Sequence, residues 1–203
     1  MKLKCVVLPA VAAGLFGISG VASANLVVNG GFETGSFSSW GTSGLTCSGV
    51  GANFSAASGG CVGYDGDPGP HGGTKAAYLG TAAGGGVISQ SIATTAGETY
   101  LVDFFLAIGS AGGSATPNSL SFNFGSATLL SLTNASAQAF AHYSYLYTAT
   151  AGSAALTITH GNAPSFFILD DVAVNKVPEP ATLLLMGLSI AGLGLARRRK
   201  ARI

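Results

Sequence analysis

From Asn25 to Lys176 no apolar run keeps a helical period. Apolar residues instead recur at alternate positions in short runs, separated by glycine-rich turns. The pattern predicts strands over Ala76 to Leu79, Gly86 to Ile92, Thr99 to Ile108, Leu120 to Phe124, Ala127 to Ser131, Phe140 to Thr150, Ala154 to His160 and Phe166 to Val174. A short strand Leu26-Val27-Val28 precedes them, ended by the turn signal Asn29-Gly30-Gly31. Strands of this length and spacing, with no helical segment between them, imply an all-β chain folded as an antiparallel β-sandwich. Tyr100, Val102, Phe104 and Leu106 share one face of their strand, and Tyr143, Tyr145 and Tyr147 share one face of theirs. Alternation points such faces into the sandwich; an exposed tyrosine platform is the alternative. Gly41 to Thr74 holds no regular element and reads as a long loop, of the kind that is functional or tied down.

The two ends of the chain differ from this body. Residues 1–24 have the three parts of a secretory signal peptide. Lys2 and Lys4 precede an apolar stretch from Cys5 to Gly20, and Ala22-Ser23-Ala24 is a small-residue cleavage site that leaves Asn25 as the mature N-terminus. Residues 177–203 begin with Pro178-Glu179-Pro180, continue through an uncharged stretch from Ala181 to Ala196, and close on Arg197-Arg198-Arg199-Lys200. Each proline fixes its φ, and Pro180 biases Glu179 toward an extended form, so the tripeptide stays outside any following helix. As a transmembrane helix, 181–196 spans about 24 Å, short of the roughly 30 Å hydrocarbon core, and crosses with thinning or snorkelling by its flanking cations. The basic block stays cytoplasmic, with everything before Pro178 on the far side.

This ordered tail resembles the PEP-CTERM sorting signal of Gram-negative bacteria, carried here by Pro178, Glu179 and Pro180, the apolar helix, and the basic stop Arg197, Arg198, Arg199 and Lys200. The resemblance implies processing by an exosortase, a membrane transpeptidase-like enzyme that cuts near the tripeptide. The chain is then transiently anchored in the inner membrane with its body in the periplasm, and ends at the cell surface or in the extracellular matrix. An uncut anchor is the plainer alternative.

The body, residues 25–176, is about 150 residues long and suits a single core. It is acidic: two lysines, Lys75 and Lys176, against Glu33, Asp65, Asp67, Glu98, Asp103, Asp170 and Asp171 give it a formal charge of −5. The whole-chain value of +1 comes from cations in the two ends. Such a body has no electrostatic footprint for nucleic acid. Once Cys5 leaves with the signal peptide, Cys47 and Cys61 remain. An even pair in an oxidising compartment implies one disulfide, worth about 3 kcal/mol for a loop of about 15 residues in the chain-entropy model.

Two segments carry a second resemblance. Asn29-Gly30-Gly31-Phe32-Glu33-Thr34-Gly35, followed by Trp40, is similar to the opening of jelly-roll modules of the galactose-binding-like and carbohydrate-binding type. Phe167-Ile168-Leu169-Asp170-Asp171-Val172-Ala173-Val174 is similar to their last strand. The resemblance implies a jelly roll whose two ends meet, with Trp40 in the core. It also implies a structural Ca²⁺ held by Glu33 and Asp171 with nearby backbone carbonyls, hard oxygen donors for a hard cation. Turn and strand-end acids without an ion are the alternative. Asp65-Gly66-Asp67 reads as a solvated turn.

Enzyme constellations are scarce. His71, His142 and His160 have no metal spacing, no Gly-x-Ser-x-Gly elbow occurs, and His71 reads as a loop residue. No catalytic residue is assigned. Phe54 and Tyr64, in the long loop, are the candidates for exposed ligand contacts. The expectation is an exported, exosortase-sorted, non-catalytic binding or structural module associated with extracellular polysaccharide. A secreted glycan hydrolase, or a scaffold or adhesin with no small ligand, are the alternatives.

Overall fold

The computed structural model describes residues 24–53, 68–80, 85–110, 115–162 and 165–178, together with Ser189. The expected signal peptide (apart from Ala24), the apolar tail (apart from Ser189) and the basic block lie outside these residues. So do Phe54, Cys61, Tyr64, Asp65, Asp67, Glu179 and Pro180. Among the described residues no helix is long and apolar enough to cross a membrane.

The strands are β1 (Gly41–Ser43), β2 (Ser48–Gly51), β3 (Ala76–Leu79), β4 (Gly86–Ala93), β5 (Thr99–Ile108), β6 (Asn118–Phe124), β7 (Ala127–Thr133), β8 (Gln138–Thr148), β9 (Ser153–Asn162) and β10 (Phe167–Lys176). They form two antiparallel five-stranded sheets, ordered β1-β4-β9-β6-β7 and β2-β3-β10-β5-β8. The expected β-sandwich is present, and its apolar alternation sets the register. Val102, Phe104 and Leu106 of β5 are fully buried, as are Leu120, Phe122 and Phe124 of β6 and Leu156 and Ile158 of β9. Between the sheets, the Phe104 and Phe122 rings stack at 3.9 Å and 6°. Tyr143, Tyr145 and Tyr147 pair with Phe104, Val102 and Tyr100 on this inner side, so the tyrosine row is packing and not a platform.

Two expectations are corrected. Within Gly41 to Thr74, β1 and β2 add short edge strands on β4 and β3. Leu26 to Val28 is not a strand, because the chain it lies against is irregular. The register of β10 on β5 shifts between Asp170 and Ala173, and Asp171 there has φ 50°. The N-terminal segment bonds to this bulge instead of forming a ladder. Leu26 N donates to the Val174 carbonyl, Asn25 Nδ2 to the Val172 carbonyl, Val174 N to Asn25 Oδ1, and Val172 N to the Gly30 carbonyl. Gly30 lies so close that a Cβ there would overlap the Val172 carbonyl oxygen. On the opposite side, Gln90 of β4 accepts from Val28 N and donates to the Val28 and Ser39 carbonyls. The segment therefore ties the two sheets together. Phe32 follows, fully buried in the left-handed region (φ 55°), its ring stacked on Trp40 at 5.6 Å. Trp40 is in the core as expected, with Nε1 donating to the Asn29 carbonyl.

The interior also holds an unpaired base. His160 of β9 is 1% exposed, and neither ring nitrogen has a hydrogen-bond partner among the described residues. Burial lowers its pKa from the ordinary 6.5 to about 4. A folded pKa below the unfolded one means the neutral ring supports stability above pH 6.5, and that support is lost as pH falls through about 4. Because the raised carboxyl pKa of Asp170 works in the opposite sense over the same window, the test is comparative: as pH falls from 6.5 to about 4 the wild-type urea midpoint should decline relative to that of His160→Phe, a ring with no titrating nitrogen. An equal slope in both proteins would assign the acid loss to other groups.

Candidate functional site

The two outer faces differ in chemistry. On the β1-containing sheet, β4, β9 and β6 turn outward Val87, Ser89 and Ser91; Ala155, Thr157 and Thr159; and Ser119, Ser121 and Asn123. This is a field of hydroxyls and small groups. On the other sheet, β5 turns out Leu101, Asp103, Phe105 and Ala107, and β8 turns out Phe140 and His142. Strand register sets Phe105 beside His142 and beside Asp170 of β10.

Four rings gather there. Phe105 stacks with His142 at 4.7 Å and 17°, and with His71 at 3.6 Å and 14°. His71 also meets Phe140 edge-on at 5.3 Å. Each histidine is oriented by a carboxylate: His71 Nδ1 donates to Asp171 Oδ2 at 2.8 Å, and His142 Nε2 to Asp103 Oδ1 at 3.1 Å. An ionised carboxylate only accepts, which puts a proton on Nδ1 of His71 and on Nε2 of His142. The remaining nitrogen of each ring, His71 Nε2 and His142 Nδ1, has no protein partner among the described residues. About half of the His142 side chain and a third of the His71 side chain are exposed.

His71 reaches this position because its turn is held down from below. Asp170 is fully buried. Its Oδ2 accepts from His71 N and Gly72 N, and its Oδ1 from Asp171 N. Burial nevertheless pushes its carboxyl up to about 6, against the pull of those three N–H groups. Gly72 leaves room for the Asp171 carboxylate, which a Cβ would meet at 2.7 Å. Gly73, at φ 61°, faces Glu33. The Glu33 carboxylate accepts from the Thr74 hydroxyl, Thr74 N and Lys75 N, bonds that hold it below its usual pKa range.

The structure thus brings Glu33 and Asp171 to consecutive glycines of one turn. As a calcium set they fit in part. Two carboxylates offer about eight lone-pair positions and the protein fills four of them. Lys75 Nζ, on the Glu33 carbonyl at 3.3 Å, works against a cation. Among the described residues no group of three or more His, Cys, Asp or Glu is arranged for a metal. Cys47 is disulfide-bonded, and its partner lies outside the described residues. At the end of the face, beyond Phe140, a cavity of ≈ 330 Å³ is lined by Pro68, by 108–110 and by 137–139.

Sequence reasoning placed His71 in a loop and left His142 unassigned. It missed Phe105, Asp103 and Asp170 as site residues. The available signal was the adjacent pair Phe104-Phe105, which puts one ring on each face of a strand.

Residues 176–200 match the PEP-CTERM protein-sorting motif. No curated protein is similar to the chain in sequence. Among solved structures, the fold is similar to the carbohydrate-binding module TmCBM61, determined with β-1,4-galactotriose, at TM-score 0.53 and 19% identity, covering 76% of this chain and 100% of that one. It is also similar to the enzymatically active domain of tailspike protein 4 of bacteriophage CBA120, at TM-score 0.50 and 15% identity, covering 75% of this chain and 21% of that one. A further similarity is to the CBM22-1 xylan-binding domain of Xyn10C from Paenibacillus barcinonensis, at TM-score 0.49 and 16% identity, covering 80% and 100%. The architecture is the jelly-roll sandwich of carbohydrate-binding modules.

Proposed function

We propose that this chain is an exported glycan-binding module, sorted by an exosortase and acting without catalysis in extracellular polysaccharide. The observation that carries the binding reading is the Phe105 surface. His71 and His142 stack on Phe105, so the half-exposed His142 ring and the part of Phe105 left uncovered offer apolar surface to the C–H side of a sugar, and the free nitrogens of His71 and His142 offer hydrogen bonds to its hydroxyls. The sorting motif at 176–200 supports export. The carbohydrate-binding fold supports the ligand class, as fold-level analogy.

Charge narrows that class. Asp103, Asp170 and Asp171 border the rings. Both lysines of the body sit beside acids, Lys176 Nζ on Glu98 at 2.9 Å and Lys75 at Glu33. A face of this sign repels uronic-acid or sulfated chains and accepts neutral ones. Catalysis is a poorer reading. Hydrolysis needs two carboxyl groups across a cleft, one of them free to donate a proton. Asp170 is buried under three N–H groups, and Asp103 and Asp171 each hold a histidine.

Titration calorimetry with neutral β-linked oligosaccharides tests the binding surface. Phe105→Ala should weaken binding by about tenfold or more, about 1.4 kcal/mol, while Tyr143→Phe, on the inner side, should leave affinity unchanged. Equal affinities of wild type and Phe105→Ala would remove this face from consideration, and release of reducing ends by the wild type would replace binding with hydrolysis.

A calcium ion at Glu33 and Asp171, with backbone carbonyls completing the set, is part of the proposal; it would brace the turn that carries His71. At a hundredfold excess over its dissociation constant the ion adds about 2.7 kcal/mol, a rise in melting temperature of about 5–10 °C. The rise should vanish in Asp171→Asn. Identical melting with calcium and with chelator, after confirmed metal removal, would leave these acids as plain hydrogen-bond acceptors.

Export and processing have a direct readout. Intact mass of surface material should correspond to a species starting at Asn25 and lacking 183–203, and unreduced peptide maps should link Cys47 to Cys61. A tail retained on all surface-located protein would mean a permanent anchor, and two free thiols would refute the disulfide.

A further inference from the structure

The four sheet edges are not alike. β1 and β2 are three and four residues long, and β7 is seven with a register shift on β6, so each offers a short or irregular template. β8 is eleven residues, Gln138–Thr148, on the outside of its sheet. It contains no Pro, Gly, Lys, Arg, Asp or Glu. Its ladder to β5 runs without a shift from Thr148 opposite Thr99 to Ala141 opposite Leu106. Its one register shift lies beyond this stretch, between Leu106 and Ile108, and from Ala141 to Thr148 the devices that normally keep a strand edge from pairing are absent.

Its free backbone groups can be assigned. Ala149 N donates to the Glu98 carbonyl, so the polar groups of residue 149 face β5. Peptide direction alternates along an antiparallel strand. Tyr147, Tyr145 and Tyr143 therefore bond to β5, while Leu146, Ser144 and His142 turn N–H and C=O to the open side. The same edge carries Leu146, 67% exposed, the most exposed large hydrophobic residue described. Leu101 of β5 lies beside it.

We propose that β8 pairs antiparallel with β8 of a second copy, joining two five-stranded sheets into one of ten strands about a two-fold axis. A second copy fits this edge for reasons of charge. The body is acidic at −5 and repels itself elsewhere, but β8 carries no formal charge except on protonated His142, so self-pairing opposes no like charges. Centred on Ser144, the pairing sets Tyr143 opposite Tyr145 of the partner subunit and His142 opposite Leu146 of the partner subunit. The first is an aromatic cross-strand pair, and the second covers the exposed leucine. The dimer also aligns two Phe105 surfaces on one continuous face, which makes the assembly bivalent for a polymer. That consequence rests on the glycan reading; the dimer itself does not.

Sedimentation velocity of the exported protein over a concentration series tests the pairing. Wild type should show a concentration-dependent dimer. Ser144→Lys, at an exposed position, sets two like charges against each other on the axis and should raise the dimer dissociation constant by about 100-fold, with circular dichroism unchanged. Ser144→Pro, which removes only an outward N–H, should do the same. A wild type that stays monomeric up to several hundred micromolar, or a dimer unmoved by both substitutions, overturns the proposal. The two readings separate cleanly. Phe105→Ala should lose glycan and remain a dimer. Ser144→Pro, which adds no charge beside Asp103, should keep its affinity for a short oligosaccharide and lose retention on immobilised polysaccharide.

Discussion

The break in β10 between Asp170 and Ala173 is the feature on which the other parts rest. A regular strand would have sent Asp170 and Asp171 to opposite faces and offered a plain ladder to its neighbours. The left-handed Asp171 changes the local direction of the chain. Val172 N and the Val172 carbonyl are thereby left for Gly30 and Asn25, which draws the N-terminal segment across the end of the sandwich. Asp170 is left beneath the Pro70 to Gly73 turn, where its two oxygens collect three backbone donors. One irregularity thus anchors the chain's beginning, closes the sandwich end, and fixes His71 over Phe105. The raised pKa of Asp170 is the electrostatic strain of putting a carboxylate where backbone amides needed an acceptor.

The long strands were legible because alternation encodes both period and face. β5 matches its sequence expectation at both ends, and the inward turn of Tyr143, Tyr145 and Tyr147 follows from the same period. β1 and β2 were not legible. Gly41-Thr42-Ser43 and Ser48-Gly49-Val50-Gly51 have no apolar rhythm, and they become strands because β4 and β3 present open edges to them. Leu26 to Val28 erred in the other direction. Its residues favour a strand, and the bulge opposite denies it a ladder.

The site was less legible than the fold for a related reason. His71 and Asp171 stand a hundred residues apart in the chain and meet only through the Asp170 turn. Phe105 follows a core phenylalanine and has the same local sequence context, so its position on an open face depends on what covers the sheet. Where recognition residues came from contiguous motifs, as in the tail, the sequence alone was enough: the expected sorting signal and the matched motif coincide over 177–200.

The strand that carries the bulge is also the one that leads out of the domain. β10 lies between β3 and β5, with eight register pairs on β5 and three on β3, and its last residue, Lys176, is pinned to Glu98. The sorting motif begins at that same residue. Whatever holds the protein at this end therefore pulls along a strand flanked on both sides. Tension is carried in shear, across many hydrogen bonds at once, whereas an outermost strand would peel away one bond at a time. A pull on the C-terminal end would load the domain along its mechanically stronger direction, through the same sheet that carries the ring-bearing face.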